Sequence, residues 1–257
     1  MPGVATLALG GEARQALTRG LPAGGACRLV SCAGIPQLEQ TLLTQLVDAI
    51  VFPPHRIPFA ALTSLRQSFP DIPWIAFGPF RPDDGLLLLA AVTGDVALAL
   101  VEGVDNAVAG ELVARHSATA VRRQALAGAD RTLRLTDPLQ QQVWSKLLER
   151  PDRPVRTTQL AALVGYTREH LSREFGAGGA PNLKRVIDLT RVVCAASLLA
   201  NPGYDARAVA RILRFASASH LTATARRIAG VPASGLAAMG VSGIVTAFAR
   251  GATRSRL

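Results

Sequence analysis

The sequence predicts an α/β unit built on a parallel sheet followed by an all-helical unit, and three observations predict it. The first 116 residues alternate short apolar runs with helical patterns five times. Residues 157 to 232 write one structural unit twice. The charge is split: residues 1 to 130 carry 9 Arg against 11 acids, and residues 131 to 257 carry 19 basic residues against 7 acids. The net charge of +10 therefore resides in the second part.

At 257 residues, 49% hydrophobic and 5% aromatic, the chain can bury an Ala, Leu and Val rich core in each of two domains. Val4 to Leu9 reads as a strand before a helix from Glu12 to Thr18, and Cys27 to Cys32 precedes a helix from Gln37 to Gln45. Ala49 to Phe52 precedes Phe59 to Phe69, Trp74 to Phe77 precedes Asp84 to Val92, and Val96 to Val101 precedes Ala107 to His116. Runs this short and apolar are strands of a parallel sheet covered on both faces. Five of them predict a flavodoxin-like, doubly wound domain over residues 1–116.

Residues 117–136 read as a linker, an extension of the fifth helix and then a short connector. Asp137 or Thr136 is placed to cap the helix of PLQQQVWSKLLER, with Pro138 at its first position. Val143, Trp144, Leu147 and Leu148 give that helix its core face, and ERPDRPVRT is the loop after it.

The doubled unit occupies the domain predicted over 137–236. Its first copy reads TTQLAALVGYTREHLSREFGAGGAP and its second ARAVARILRFASASHLTATARRIAGVP. Leu160 aligns with Val209, Tyr166 with Phe215, His170 with His220, Leu171 with Leu221 and Pro181 with Pro232, at offsets of 49 to 51. Each copy is a short apolar helix, a tight turn and an amphipathic helix, which is how a helix-turn-helix reads in sequence. In the first, Leu160, Ala161 and Val164 share a face, Gly165 suits a left-handed turn and Thr167 an N-cap. Leu171 and Phe175 bury the next helix, leaving Arg168, Glu169, His170, Ser172 and Arg173 outward. Leu183 to Leu199 lies between the copies as a helix of 17 residues, about 26 Å long. Two recognition helices at the ends of such a strut suit successive major-groove turns, about 34 Å apart.

This arrangement resembles the AraC/XylS family of transcription regulators, whose DNA-binding domain is two helix-turn-helix units joined by a linker helix. The resemblance rests on Arg191, Ala195, Leu198 and Leu199 in the linker, on Gly165, Leu171, Arg173 and Phe175 in the first unit, and on Phe215, Ser219 and His220 in the second. The chain departs from the pattern where Arg214 replaces the turn glycine, and where Leu221, Ala223 and Ala225 replace two aromatics and an Arg. The resemblance implies double-stranded DNA as partner and RNA polymerase as a further contact, with base contact carried mainly by the first recognition helix. Arg168 and Arg173 suit guanine O6 and N7, or equally phosphate. Arg226 and Arg227 read as phosphate clamps, while Ser217, Ser219, His220 and Thr222 can meet backbone or base. A regulator that has lost specific DNA binding and works through protein contacts is the alternative, motivated by Arg214, Ala223 and Ala225.

The first 116 residues are similar in order and spacing to a response-regulator receiver domain, most clearly in FPDIPWIAF and TGDVALALVEG. The receiver's acidic pair falls near Leu9, Gly10 and Gly11, its phosphoacceptor at Pro53, its hydroxyl near Gly78 and its lysine at Val101 or Glu102. Aspartate phosphorylation needs a carboxylate nucleophile, acids for Mg²⁺ and a cation, so the domain reads as a pseudo-receiver. Gly10, Gly11, His55 and Arg56 fall on the rim where doubly wound sheets hold ligands. They suit an anion, or PPHR is simply a rigid loop. Homodimerisation through residues 96 to 116 is implied by the resemblance alone.

Catalysis finds no constellation in this sequence. Cys27, Cys32 and Cys194 have no metal-ligand spacing, which argues against a repair methyltransferase using the same module, and the four histidines are scattered. Reduced thiols and the missing signal peptide predict a cytoplasmic protein with neither cofactor nor metal. Ile228 to Ala249 is uncharged, but Gly230, Pro232, Gly235, Gly240 and Gly243 interrupt it. It reads as a helix end and a loosely packed tail over 237–257, outside any membrane.

Overall fold

The computed structural model describes residues 3–21, 27–93, 96–149 and 155–254. The loop expected after residue 149 falls largely at 150–154, outside the described residues, as do the last three residues of the chain. Two compact units divide the chain, the first comprising Met1–Val121 with Asn201–Gly203 and the second Arg122–Ala200 with Tyr204–Leu257.

The first unit is a five-stranded parallel sheet. Strand β1 (Gly3–Leu7), helix α1 (Gly11–Gly20), β2 (Arg28–Cys32), α2 (Ile35–Thr44) and β3 (Val47–Phe52) are followed by α3 (Phe59–Ser68), β4 (Trp74–Gly78), α4 (Gly85–Thr93), β5 (Leu98–Val101) and α5 (Ala109–Arg115). The strand order is β2-β1-β3-β4-β5, an order common among doubly wound sheets. Strand β1 ends two residues earlier than its apolar run, because Ala8 takes a positive φ of 48° and turns the chain away. Alternation then sorts the core. Val4, Ala49, Val51, Ile75 and Phe77 pack with Ala13, Leu17, Ala109 and Val113 of α1 and α5. Phe52 faces the other way, edge-on to Phe59 of α3 at 5.4 Å and to Trp74 at 6.0 Å.

Helices α1 and α5 meet backbone to backbone. A Cβ built on Gly110 would lie 2.3 Å from the carbonyl carbon of Gly20 and 2.4 Å from the Leu21 nitrogen. Backbone cannot swing aside as a side chain can, so Gly110→Ala must separate the helices and open the Ala16, Leu17 and Val113 contacts. Overpacking of this kind costs about 1–3 kcal/mol or more. Urea denaturation followed at Trp74 is expected to show that loss, and an unchanged midpoint would mean that the helices do not touch there.

The expected linker is folded. Ser117 Oγ donates to Ala114 O at 2.7 Å and accepts from Ala120 N at 3.2 Å, ending one helix and starting the next. Instead of an extended fifth helix there are α6 (Ala118–Ala125) and α7 (Ala129–Thr132), with Leu126, Ala129, Leu133 and Leu135 buried.

In the second unit, α8 (Pro138–Glu149) is capped by Asp137, whose Oδ1 accepts from Leu139 N at 2.8 Å. Val143, Trp144 and Leu147 are buried as expected, and so is Gln140, whose amide donates to Phe175 O and Ala177 O at 3.0 and 3.1 Å. Then come α9 (Thr157–Val164), α10 (Arg168–Phe175), a 3-10 turn (Ala177–Gly179), α11 (Leu183–Leu199), α12 (Ala206–Ile212), α13 (Ala218–Ala229), a second 3-10 turn (Ala233–Gly235) and α14 (Leu236–Arg254).

The loose tail expected over 237–257 is instead the long helix α14, packed on α11 and α13. Gly240, with φ 61°, breaks its regularity, and Leu236, Ile244 and Phe248 are fully buried. The apolar residues of this segment recur at helical spacing beyond Gly240, so they cover α11. The stretch Ala233–Gly251 has the length and composition to cross a membrane, but its apolar stripe is occupied by this packing. Every residue of α11 from 186 to 196 is buried. A helix buried all round is a core element, and its three polar residues in that span must find partners inside the protein.

Candidate functional site

Helices α9 and α10 are joined by a three-residue turn. Leu160, Ala161 and Val164 bury one face of α9, and Gly165 closes it with φ 77°, where a side chain would be strained. Thr167 Oγ1 accepts from His170 N at 3.2 Å and so starts α10. Leu171 and Phe175 are fully buried, which turns Arg168, Glu169, Ser172 and Arg173 to solvent and leaves His170 half-buried. His170 lies under the Tyr166 ring, stacked at 5.0 Å and 18°, and Arg173 Nη2 approaches its Nδ1 at 3.5 Å while Arg173 Nε pairs with Glu174 at 3.3 Å. These contacts gather Tyr166, His170 and Arg173 into one patch of the exposed face of α10.

Helices α12 and α13 repeat the plan. Asp205 caps α12 through Ala208 N at 2.6 Å, and Ser217 caps α13 through His220 N at 3.0 Å, the counterpart of the Thr167 cap. Leu221, Thr224, Ala225 and Ile228 are buried, while Ser219, His220, Ala223, Arg226 and Arg227 are exposed and Thr222 is half-buried. His220 serves the turn as well: its Nδ1 accepts from Ala216 N at 3.4 Å, and its ring meets Phe215 edge-on at 5.7 Å. Arg227, expected as a phosphate clamp, donates from Nη2 to Asp188 Oδ2 at 2.9 Å and is thereby directed to the core helix. Arg226 remains exposed without a carboxylate partner among the described residues.

The turn of the second pair holds Arg214 at φ 55°, a conformation that costs a non-glycine residue about 1–2 kcal/mol. Arg191 of α11 compensates. Its Nη2 donates to Leu213 O at 3.0 Å and to Arg214 O at 3.3 Å, and its guanidinium carbon lies 3.8 Å from the Phe215 ring centroid. Burial pushes the Arg191 guanidinium below its ordinary value, with Asp188 acting in the opposite sense. Arg191 is legible in the sequence through the linker pattern, whereas its partnership with Asp188 is signalled only by their spacing of three. Since the Arg214 residue is exposed and its hydrogen bonds are made by the backbone, Arg214→Gly is expected to raise stability by up to about 1 kcal/mol, the left-handed strain less the added chain entropy. A lower denaturation midpoint would sink that account.

In the first unit, the four candidate anion ligands lie at the carboxyl end of the sheet. Gly10 and Gly11 follow β1, and His55 and Arg56 follow the neighbouring strand β3. Space around both glycines is open, and the His55 ring lies against Gly78 at the end of β4. The positions compared with receiver chemistry share this end: Pro53 is buried directly after β3, and Gly78 and Val101 end β4 and β5. Burial and then the Asp48 carboxylate raise the Cys27 thiol above the usual range, opposite to what an activated nucleophile requires. Among the described residues no three His, Cys, Asp or Glu side chains are placed to hold a metal.

The class defined by these observations is an α/β parallel-sheet unit followed by a helical unit with two like helix pairs around a buried helix. No family model, curated protein or solved structure matches the chain.

Proposed function

We propose that the protein is a sequence-specific DNA-binding transcription regulator, with α9–α10 and α12–α13 as two helix-turn-helix motifs and α11 as their linker. The observation that carries this reading is the repeated presentation: both α10 and α13 start at a hydroxyl cap and bury one apolar face. Each then offers exposed polar and basic side chains from a rigid base. Sites built on packed helices position contacts better than sites on loops. Base contact belongs mainly to Arg168, Arg173 and His170 of α10, for which Tyr166 provides a packing surface. Helix α13 presents Ala223 where a longer side chain would reach further, so Ser219, His220, Thr222 and Arg226 act chiefly on the backbone.

The sheet unit is read as a pseudo-receiver that senses or dimerises without aspartate phosphorylation. Glycine and proline at the former acid positions support this, and the exposed Val104 and Val108 between β5 and α5 support self-association. RNA polymerase is a further partner on the same reading.

Binding of the full chain to DNA from its own upstream region, against a shuffled duplex over a salt series, tests the proposal. A steep salt dependence with a preference of about 10³-fold or more is expected. Steep dependence without preference would reduce the protein to a non-specific binder. No binding by folded protein would favour action through protein contacts.

A further inference from the structure

The two helix pairs differ in where they carry charge. Aligned at the offsets of the doubled sequence, Arg168 and Arg173 of α10 fall on Ala218 and Ala223 of α13. The first helices differ in the opposite sense: Arg207, Arg211 and Arg214 of the second pair fall on Thr158, Ala162 and Gly165. At these positions the second pair holds its cations on and just after its first helix, where the first pair holds them on its second. Residues 206–229 contain five arginines and no acid, whereas α10 contains Glu169 and Glu174.

Spacings of four and three set the three arginines along one ridge. Ala208, Val209, Ile212 and Leu213 are buried behind it, all three arginines are exposed, and none meets a carboxylate among the described residues. Two local costs are accepted there. Like charges one turn apart, Arg207 and Arg211, repel. Arg214 takes φ 55°, a conformation that its counterpart Gly165 adopts at φ 77° without strain. The first pair avoids both costs with uncharged residues. Local rules broken at one place, each to hold an exposed cation, mark a surface that is used. Arg191 fixes the turn from beneath through Leu213 O and Arg214 O, so the ridge ends on a rigid base.

We propose that the second pair clamps the DNA backbone, with Arg207, Arg211 and Arg214 as its phosphate contacts. In helix-turn-helix docking the second helix enters the groove and the first crosses the backbone, so cations on α12 meet phosphate, which positions without specifying. Helix α10 then reads the sequence and α12 supplies the hold. The inference rests on the DNA reading of the helix pairs and adds three residues to it.

The test is equilibrium binding of the full chain to DNA from its own upstream region and to a shuffled duplex, over a salt series. The variants are Arg207→Ala with Arg211→Ala, Arg214→Gly, and Arg123→Ala, exposed on α6, as the control for charge alone. The slope of log affinity against log salt is expected to fall by about 2 in the double variant and by about 1 in Arg214→Gly, equally on both duplexes, and to stay unchanged in Arg123→Ala. Circular dichroism should be unchanged and the thermal midpoint no lower, since each α12 substitution removes repulsion or backbone strain. Arg214→Gly should therefore gain stability and lose affinity together, which a merely structural residue would not do. Unchanged slopes overturn the clamp and turn the ridge to an acidic protein surface, while the regulator reading stands on the preference between duplexes. Loss confined to the upstream duplex overturns it too, because α12 would then read bases. An equal fall in Arg123→Ala assigns the effect to net charge and likewise overturns it. Lowered slopes in a chain with no preference between duplexes keep the clamp and remove the regulator reading.

Discussion

Arg191→Leu is expected to destabilise the helical unit by about 3–5 kcal/mol, the usual result of removing one partner from a buried ionic cluster. The guanidinium meets two carbonyls, an aromatic face and Asp188, and a leucine offers none of them a donor in its place. Arg214 loses the contact that offsets its left-handed backbone, so the turn between α12 and α13 is the first place expected to loosen. Lysine would restore the charge without the planar guanidinium that covers Phe215 while Nη2 donates to both carbonyls, so Arg191→Lys should recover only part of the loss. The measurement is urea denaturation in a Trp74→Phe background, where Trp144 reports the helical unit alone. A loss under about 1 kcal/mol would show that the cluster is not a structural anchor. A double-mutant cycle with Asp188→Asn should give a coupling of about 0.5–3 kcal/mol, since the two side chains share partners.

Replacing Arg168 and Arg173 together by Ala is expected to cost about 2–6 kcal/mol of preference for the cognate duplex, at about 1–3 kcal/mol for each guanine pair lost. Both side chains are exposed on α10, and neither supports the core, so folding should be unaffected. The form of the loss discriminates between roles. A base reader loses preference at a defined position of the operator. A phosphate contact weakens all duplexes alike and lowers the salt slope by about 1. Arg226→Ala is expected to behave in the second way. Arg227→Ala should weaken folding as well, because it frees Asp188. Cognate affinity unchanged in the double Arg168 and Arg173 variant would remove α10 from the DNA surface.

Much of the local structure was legible because it depends on neighbours in sequence. The five short apolar runs gave the parallel sheet, since burial on both faces leaves no polar alternation to confuse the reading. Gly165, Thr167 and Asp137 marked turns and caps through chemistry confined to three or four residues. The 117–136 segment was misread because one serine, Ser117, both ends a helix and begins another, and its polar composition hid the buried Leu126 and Leu133. The tail was misread for a related reason. Gly240 interrupts the helical pattern, while the surface that Ile244 and Phe248 cover is supplied by α11, about 50 residues away.

The sequence by itself determined the two-part architecture, the parallel sheet, the doubled helix pairs and the outward face of α10. Periodicity, caps and charge are local quantities, and each can be read from one stretch of chain. Tertiary structure alone decided the roles of Arg191, Asp188 and Arg227 and the support of Arg214. These depend on side chains 20 to 40 positions apart. Which arginine is buried as an anchor and which remains free for a ligand is settled by packing around α11, because burying a charge is tolerated only where partners from several helices converge.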